Sequence, residues 1–141
     1  MYNRILVAID GSKMSNKALK AALQIARERY SKVGVIHVEK NVMISENMTT
    51  DSIDEIYSKI NNEADSLFNE ARSLAESEEL EIDTHYVMGD PAVQIVKTAE
   101  QGNYQLIVMG SRGLGAIKGI VMGSVSYKVL QLSQCPVLII K

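Results

Sequence analysis

The sequence has little cysteine: Cys135 stands alone among 141 residues, so no internal disulfide can form. Proteins without disulfides are typical of the reducing cytosol, which is the compartment we expect. No stretch approaches the roughly 18 uninterrupted apolar residues of a membrane span. Residues 1–4 run directly into a short apolar strand pattern rather than into the apolar region of a signal peptide. We therefore expect neither membrane insertion nor secretion.

Excess positive charge is also missing. Fifteen Lys and Arg stand against 17 Asp and Glu, which gives a formal net charge of -2 at pH 7. Non-specific nucleic-acid binding depends on clustered basic side chains that neutralise phosphates. We therefore expect small molecules or proteins as partners, and no nucleic acid.

The composition that remains is that of an ordinary globular protein, with 46% hydrophobic and 23% charged residues. A chain of this length buries about 68 to 70% of its unfolded surface. No repeat, low-complexity tract or linker interrupts it. We predict one domain over residues 1–141.

Apolar runs and amphipathic stretches alternate along the chain. Five strands are predicted, at residues 4–9, 33–38, 81–88, 105–109 and 136–140, and four helices lie between them. Alternation of this kind is typical of an α/β fold, a three-layer domain with a parallel sheet covered by helices on both faces. Two strand orders compete, 3-2-1-4-5 and 2-1-3-4-5. We favour the first, because it brings the turn at Asp10 and the loop at Gly110 to one switch point, where ligands of such sheets bind.

Local signals mark the helix ends. Ser15 is the predicted N-cap of the first helix, and Asp90 followed by Pro91 is a strong start for the third, which should end at Gly102. The second helix should run from about 51 to 78 and the last from about 124 to 133. Residues 39–50 lack a period and are predicted to form a loop, whose closure over a ligand the sequence leaves open.

Five of the nine glycines fall between Gly110 and Gly123, just before the last helix. Glycine lets backbone N–H groups approach an anion closely, and a helix N-terminus offers unpaired donors and a positive dipole end. This pattern predicts a phosphate-binding loop, and hence a nucleotide-binding domain with ATP as the first choice. Plain turn formation is the competing interpretation.

Two common nucleotide motifs are excluded. The Rossmann fingerprint fails because Lys118 stands where the third glycine after Gly113 and Gly115 would be. The P-loop signature fails because no Gly-Lys-Ser or Gly-Lys-Thr occurs. Without a P-loop lysine, phosphate charge must be met by N–H groups, the helix dipole, a divalent ion and Arg112.

The loop matches a different pattern at each defined position: Gly110, two residues, Gly113, nine residues, then Gly123-Ser124. This pattern resembles that of the ATP-binding branch of the universal stress protein family. The resemblance extends to residues 5–12, 35–38, 89–91, 106–113, 123–126 and 135–138, and so over the whole chain. It implies a five-stranded parallel sheet in the order 3-2-1-4-5, ATP at the switch point and a dimer.

The resemblance also implies individual roles. Gly110 and Gly113 would bend the backbone around ribose and phosphates, and backbone at two strand ends would contact the adenine. Asp10 would lie near the ribose and a nucleotide-bound Mg²⁺, with no metal held by protein ligands alone. The nucleotide-binding residues implied are Ala8, Asp10, Val38, Met109, Gly110, Arg112, Gly113, Gly123, Ser124, Val125 and Ser126.

Some of these residues have simpler interpretations. Asp10 can form an Asx-turn that orders Gly11 and Ser12, and Arg112 can be an ordinary solvated arginine. Ser124 is expected to cap the last helix in the empty protein. His37, His85 and Cys135 lack neighbouring ligands or partners at suitable spacing, so we interpret them as structural.

The sheet edges predict an interface. In the favoured order, strand 3 carries polar residues that discourage edge pairing, whereas the last strand reads Val137, Leu138, Ile139 and Ile140. We expect a two-fold dimer in which this strand pairs antiparallel with its copy, in agreement with the resemblance.

Three functions remain open from the sequence. The favoured one is an ATP-binding, stress-type regulatory or accessory dimer. A genuine ATPase is a second, although beyond Asp10 no clear base is present, so slow hydrolysis at most is expected. The third is a protein-interaction module that binds no nucleotide, against which the intact glycine loop counts.

Overall fold

The computed structural model describes residues 2–114 and 122–141 of the chain. Gly115 and Lys118, which enter the Rossmann comparison, lie outside the described residues. Within these ranges strands and helices alternate, as the apolar pattern predicts. They are β1 (Arg4–Ala8), α1 (Lys13–Arg29), β2 (Lys32–Glu39), α2 (Thr50–Ser77), β3 (Ile82–Met88), α3 (Pro91–Gln101), β4 (Leu106–Gly110), α4 (Ser124–Leu132) and β5 (Val137–Ile140).

The sheet is parallel, and its strand order is β3-β2-β1-β4-β5. The α/β fold and the favoured order are therefore confirmed, and the order 2-1-3-4-5 was wrong. Ile5 pairs with Val33 on one side and with Leu106 on the other, so β1 is the central strand. Ile5, Leu6 and Val7 have no solvent exposure, which is why this strand is apolar on both faces.

Two hydrophobic clusters cover the two faces of the sheet. Side chains of α1 and α2, including Leu19 and Phe68, pack on one face. Side chains of α3 and α4, including Ile95 and Val129, pack on the other. Because both faces are covered, open space for a ligand is left at the ends of the strands rather than on the faces.

The cap of α1 differs from the prediction. Ser12, not Ser15, is its N-cap, and the Ser12 hydroxyl accepts a hydrogen bond from the Ser15 backbone N–H at 3.1 Å. Ser15 lies inside the first turn, where it is 5% exposed and its hydroxyl donates to the Ser12 carbonyl. The helix begins earlier because the turn after β1 is shorter than the sequence pattern implied.

The other predicted helix ends agree more closely. Asp90 caps α3 through the Val93 N–H at 3.0 Å, Pro91 takes the first helical position, and Gly102 is the C-cap. Thr49 caps α2, and residues 40–49 form no helix or strand. Among the described helices, none combines the length and apolar character that a membrane crossing requires.

Candidate nucleotide-binding site

A cavity of about 590 Å³ opens at the carboxyl edge of the sheet. It lies where β1 and β4 are neighbours and the chain reverses its winding, with β2 beyond β1. This is the switch point at which open parallel sheets bind ligands, and the volume suits a small molecule.

The cavity brings together residues from four parts of the chain. All eleven residues predicted as nucleotide-binding line it: Ala8, Asp10, Val38, Met109, Gly110, Arg112, Gly113, Gly123, Ser124, Val125 and Ser126. Their convergence is a consequence of the strand order, because β1, β2 and β4 end at one edge. Whether each of them contacts a ligand stays a prediction.

Asp10 connects two walls of the cavity. Its Oδ1 accepts the Ser12 backbone N–H at 2.9 Å, which is the Asx-turn that the simpler interpretation predicts. Its Oδ2 accepts the Leu114 backbone N–H at 3.0 Å, across the cavity mouth. One carboxylate therefore orders the turn after β1 and also anchors the loop after β4.

The three motif glycines are required for different reasons. A Cβ on Gly110 would come within 2.7 Å of the Met14 Cβ, and a Cβ on Gly113 would overlap the Asp10 carboxylate. Among the described residues, a Cβ on Gly123 would have ordinary contacts only, the nearest being the Ser111 carbonyl oxygen at 3.4 Å. Packing within the protein therefore explains the first two glycines. The third is free of such a constraint, which is consistent with close approach of a ligand to its backbone.

The cap of α4 also differs from the prediction. Gly123 is the N-cap and has no side chain with which to cap the helix, and Ser124 is its first residue. The N–H groups of the first turn of a helix have no partner within the helix. Ser124, Val125 and Ser126, which form the first turn of α4, all line the cavity.

The hydroxyl of Ser126 is committed to the fold. It donates to the Ser111 carbonyl oxygen at 2.8 Å and is close to the Gly123 carbonyl oxygen at 3.1 Å, and the residue is 2% exposed. This side chain ties the start of α4 to the loop after β4. What Ser126 can offer a ligand is consequently its backbone N–H.

Basic side chains stand around the cavity. Arg112 and Lys40 line it, and Lys128 pairs with Asp90 at 3.2 Å beside the start of α3. The Val93 N–H hydrogen bond, with a smaller contribution from Lys128, lowers the pKa of Asp90. Asp10 and Glu39 line the same cavity and balance the charges of Arg112 and Lys40 among the described side chains. What favours an anion here is the pair of helix N-termini, of α3 and α4, at this edge of the sheet.

Both histidines make hydrogen bonds within the protein. Nδ1 of His37 is 2.9 Å from the Ile9 carbonyl oxygen, and its Nε2 is 3.2 Å from Oε2 of Glu39. Nε2 of His85 is 2.8 Å from the Tyr104 hydroxyl. Within residues 2–114 and 122–141, no group of three or more His, Cys, Asp or Glu side chains is arranged to hold a metal ion.

Sequence reasoning missed part of the lining. Further residues at the cavity come from the end of β1, from the first turn of α1, from β2 and the residue after it, from the start of α3 and from both ends of the glycine loop: Ile9, Ser15, Ile36, His37, Glu39, Lys40, Pro91, Ile95, Leu114 and Met122. Only the position of Pro91 beside a helix start and of Lys40 after a strand end signalled this edge. Ile95 lies on α3, and the remaining residues reach the cavity because β1, β2 and β4 end at this edge.

Comparison with known proteins identifies the family of this chain. The Universal stress protein family model matches residues 1–141. The universal stress protein YxiE of Bacillus subtilis is 38% identical over 148 residues, with all of both chains covered.

Two similar solved structures hold adenine nucleotides. One is a universal stress protein in complex with cAMP, at 26% identity and a TM-score of 0.75, with 99% of this chain and 96% of that chain covered. The other is the universal stress protein of Archaeoglobus fulgidus in complex with dAMP, at 26% identity and a TM-score of 0.70, with 99% and 98% covered. The chain belongs to the universal stress protein family.

Proposed function

We propose that this protein binds an adenine nucleotide at the carboxyl edge of its sheet, with ATP and Mg²⁺ as the preferred ligand, and acts as a regulatory or accessory dimer. The observation that carries the proposal is the convergence of Gly110, Gly113 and the start of α4, whose N-cap is Gly123, on one cavity. Related structures that hold cAMP and dAMP support adenine as the base.

The phosphates would lie against the start of α4. The N–H groups of Ser124, Val125 and Ser126 and the dipole of the helix supply positive potential without a lysine. Gly123 leaves room for this approach, since its Cβ position is free of close contacts. Arg112, which lines the same cavity, would pair with phosphate through its planar guanidinium.

The adenine would lie at the opposite end, between β1, β2 and β4. Ala8, Val38 and Met109, from the ends of these strands, line the cavity together with Ile95 of α3. Apolar side chains and strand-end backbone groups suit a flat base that needs few hydrogen bonds for orientation.

Mg²⁺ would enter with the nucleotide. Asp10 is the carboxylate beside the glycine loop, and hard oxygen ligands of this kind suit Mg²⁺ together with phosphate oxygens. When bound, the ion would neutralise phosphate charge next to Asp10.

Hydrolysis would be slow at most. The carboxylates that line the cavity belong to Asp10 and Glu39. Asp10 accepts two backbone N–H groups, and Glu39 pairs with His37. A general base must be held within hydrogen-bond reach of the proton it removes, whereas the hydrogen bonds of these two carboxylates are to groups of the protein itself.

The dimer would form through β5, the exposed edge of the sheet next to β4. Leu138 is 36% exposed there, and the strand has no charged residue within Val137–Ile140 to discourage pairing. Antiparallel pairing with a second copy would continue the sheet across the interface.

Equilibrium dialysis with labelled ATP and Mg²⁺ tests the binding. The natural sequence should bind, and Gly123→Val should not, because its branched side chain fills the space before α4. Gly123→Ala is the matched control: its Cβ makes ordinary contacts, so it should fold normally and lose less affinity. Mass spectrometry of small molecules released from freshly purified protein would identify the resident nucleotide. Absence of binding by the natural sequence would favour the interaction-module alternative.

A further inference from the structure

The first half of α2 extends beyond the sheet. At 28 residues the helix is about 42 Å long, whereas the seven-residue strand β3 beneath it spans about 23 Å. All buried residues of α2 lie in its second half, from Ala64 to Ala75. We call residues 50–63 the α2 overhang. It lies at the carboxyl edge of the sheet, since α2 follows the end of β2.

The overhang carries an apolar stripe. Ile53, Ile56, Tyr57 and Ile60 recur at spacings of three and four, so they lie on one side of the helix. That side continues the face that packs on the sheet further along, at Ala64 and Phe68. The four stripe residues are partly exposed, and within the described residues they belong to neither core cluster.

The segment before the overhang is also apolar and exposed. Met43 is 90% exposed, Ile44 44% and Met48 36%. These side chains precede the stripe directly in the sequence, and a large contiguous apolar surface on a soluble protein often marks a binding site. The flexible side chain of methionine adapts well to the surface of a partner.

The charge around the stripe is acidic. Within the overhang there are four carboxylates, at Asp51, Asp54, Glu55 and Glu63, against one basic residue, Lys59. The net charge of this segment is therefore -3, while that of the whole chain is -2. By helical angle, Asp54 and Glu63 flank the stripe on its two sides. A second copy of the same helix would be repelled, whereas a basic partner would be attracted.

We propose that the α2 overhang docks an amphipathic helix of another protein, with apolar residues on one face and lysine or arginine beside them. The apolar face of the partner covers the stripe of Ile53, Ile56, Tyr57 and Ile60, and its basic side chains pair with Asp54 and Glu63. This is recognition of a helix by an apolar surface with charged margins. It does not depend on nucleotide binding, although the same edge of the sheet carries the cavity.

The test uses two fluorescent peptides of leucine and lysine with identical composition. In the first, leucine recurs at spacings of three and four. In the second, the order is scrambled so that no helical face is apolar. Anisotropy titrations of the full chain should show binding of the facial peptide about tenfold or more tighter than the scrambled one.

Variants locate the surface. Ile56→Ser with Ile60→Ser should weaken binding of the facial peptide about tenfold or more, because two apolar side chains leave the contact. Asp54→Lys with Glu63→Lys should also weaken it. Val93→Ser is the control, since Val93 is exposed, apolar and on α3, away from the overhang. It should leave binding unchanged.

Several results would overturn the proposal. Equal affinity for the two peptides would mean simple charge attraction. Absence of binding would exclude basic amphipathic helices as partners of this surface. A change in solution mass for Ile56→Ser with Ile60→Ser would identify the surface as a contact between copies. A large drop in its unfolding temperature, relative to Val93→Ser, would mean that the chain itself covers the stripe.

Discussion

Oδ2 of Asp10 accepts the backbone N–H of Leu114 at 3.0 Å, although 104 residues separate the two in the sequence. The carboxylate therefore accepts a hydrogen bond from a loop N–H group that could otherwise donate to an anionic ligand. Asp10 thus connects the loop after β4 to the turn after β1 through hydrogen bonds to both.

Replacing Asp10 by alanine should therefore loosen the loop. Two N–H groups, of Ser12 and Leu114, lose their acceptor, and we expect the free energy of unfolding to fall by about 1 kcal/mol. Amide hydrogen exchange followed by NMR should accelerate at Leu114. Asp10→Asn keeps an oxygen acceptor and should have the smaller effect. Unchanged exchange at Leu114 in the alanine variant would contradict this role.

Gly113→Ala should displace Asp10, because the added Cβ would overlap its carboxylate. We expect weaker binding of ATP with Mg²⁺ and faster exchange at Leu114, measured by calorimetry and NMR. Gly123→Ala provides the comparison, since within residues 2–114 and 122–141 its Cβ meets no atom closer than 3.4 Å. Equal losses for both variants would show that the overlap with Asp10 is unimportant.

Gly34→Ala should destabilise the fold by about 1 to 3 kcal/mol through overpacking. A Cβ there would overlap the Tyr104 side chain, which crosses β2 to reach His85. The hydroxyl is the closest atom, so Tyr104→Phe combined with Gly34→Ala should cost less than the sum of the two single changes. Urea denaturation of the four proteins measures this coupling. Additive losses would argue against the contact.

Asp90 should stabilise the protein in a defined pH range. Its folded pKa is lowered from 3.8, first by the Val93 N–H and then by Lys128. A carboxyl with a depressed folded pKa contributes stability above its unfolded pKa and loses it as the pH falls through the folded value. The natural sequence should therefore unfold at a higher temperature than Asp90→Asn at pH 6, and this difference should shrink below about pH 4. Lys128→Gln should raise the pKa of Asp90 only in part, as an NMR titration would show.

Leu138→Lys should convert the expected dimer into a monomer. Leu138 is 36% exposed on the edge strand β5, and a charge on each copy would oppose antiparallel pairing. Light scattering at micromolar concentration measures the mass. Val93→Lys introduces the same charge at another exposed apolar position and should stay dimeric. If the protein of natural sequence has the mass of a monomer, the dimer proposed above is wrong.

The sequence by itself determined the class of fold and the location of the candidate site. Apolar runs such as residues 5–9 are typical of strands buried on both faces of a sheet. Their alternation with amphipathic stretches restricts the fold to a few topologies with a parallel sheet. The glycine spacing from Gly110 to Gly123 then marks one edge of the sheet, because the ends of parallel strands meet there. Periodicity and turn chemistry are local properties, so they can be interpreted without coordinates.

Tertiary structure decided the contacts between distant residues. Ser12 rather than Ser15 caps α1, and Gly123 rather than Ser124 caps α4, because the exact turn length depends on how each helix packs. The contact of Asp10 with Leu114 and the need for Gly34 beside Tyr104 have no local signal. Such relationships arise only when close packing brings separate segments within a few ångströms. The periodicity of a sequence carries no information on contacts between segments so far apart.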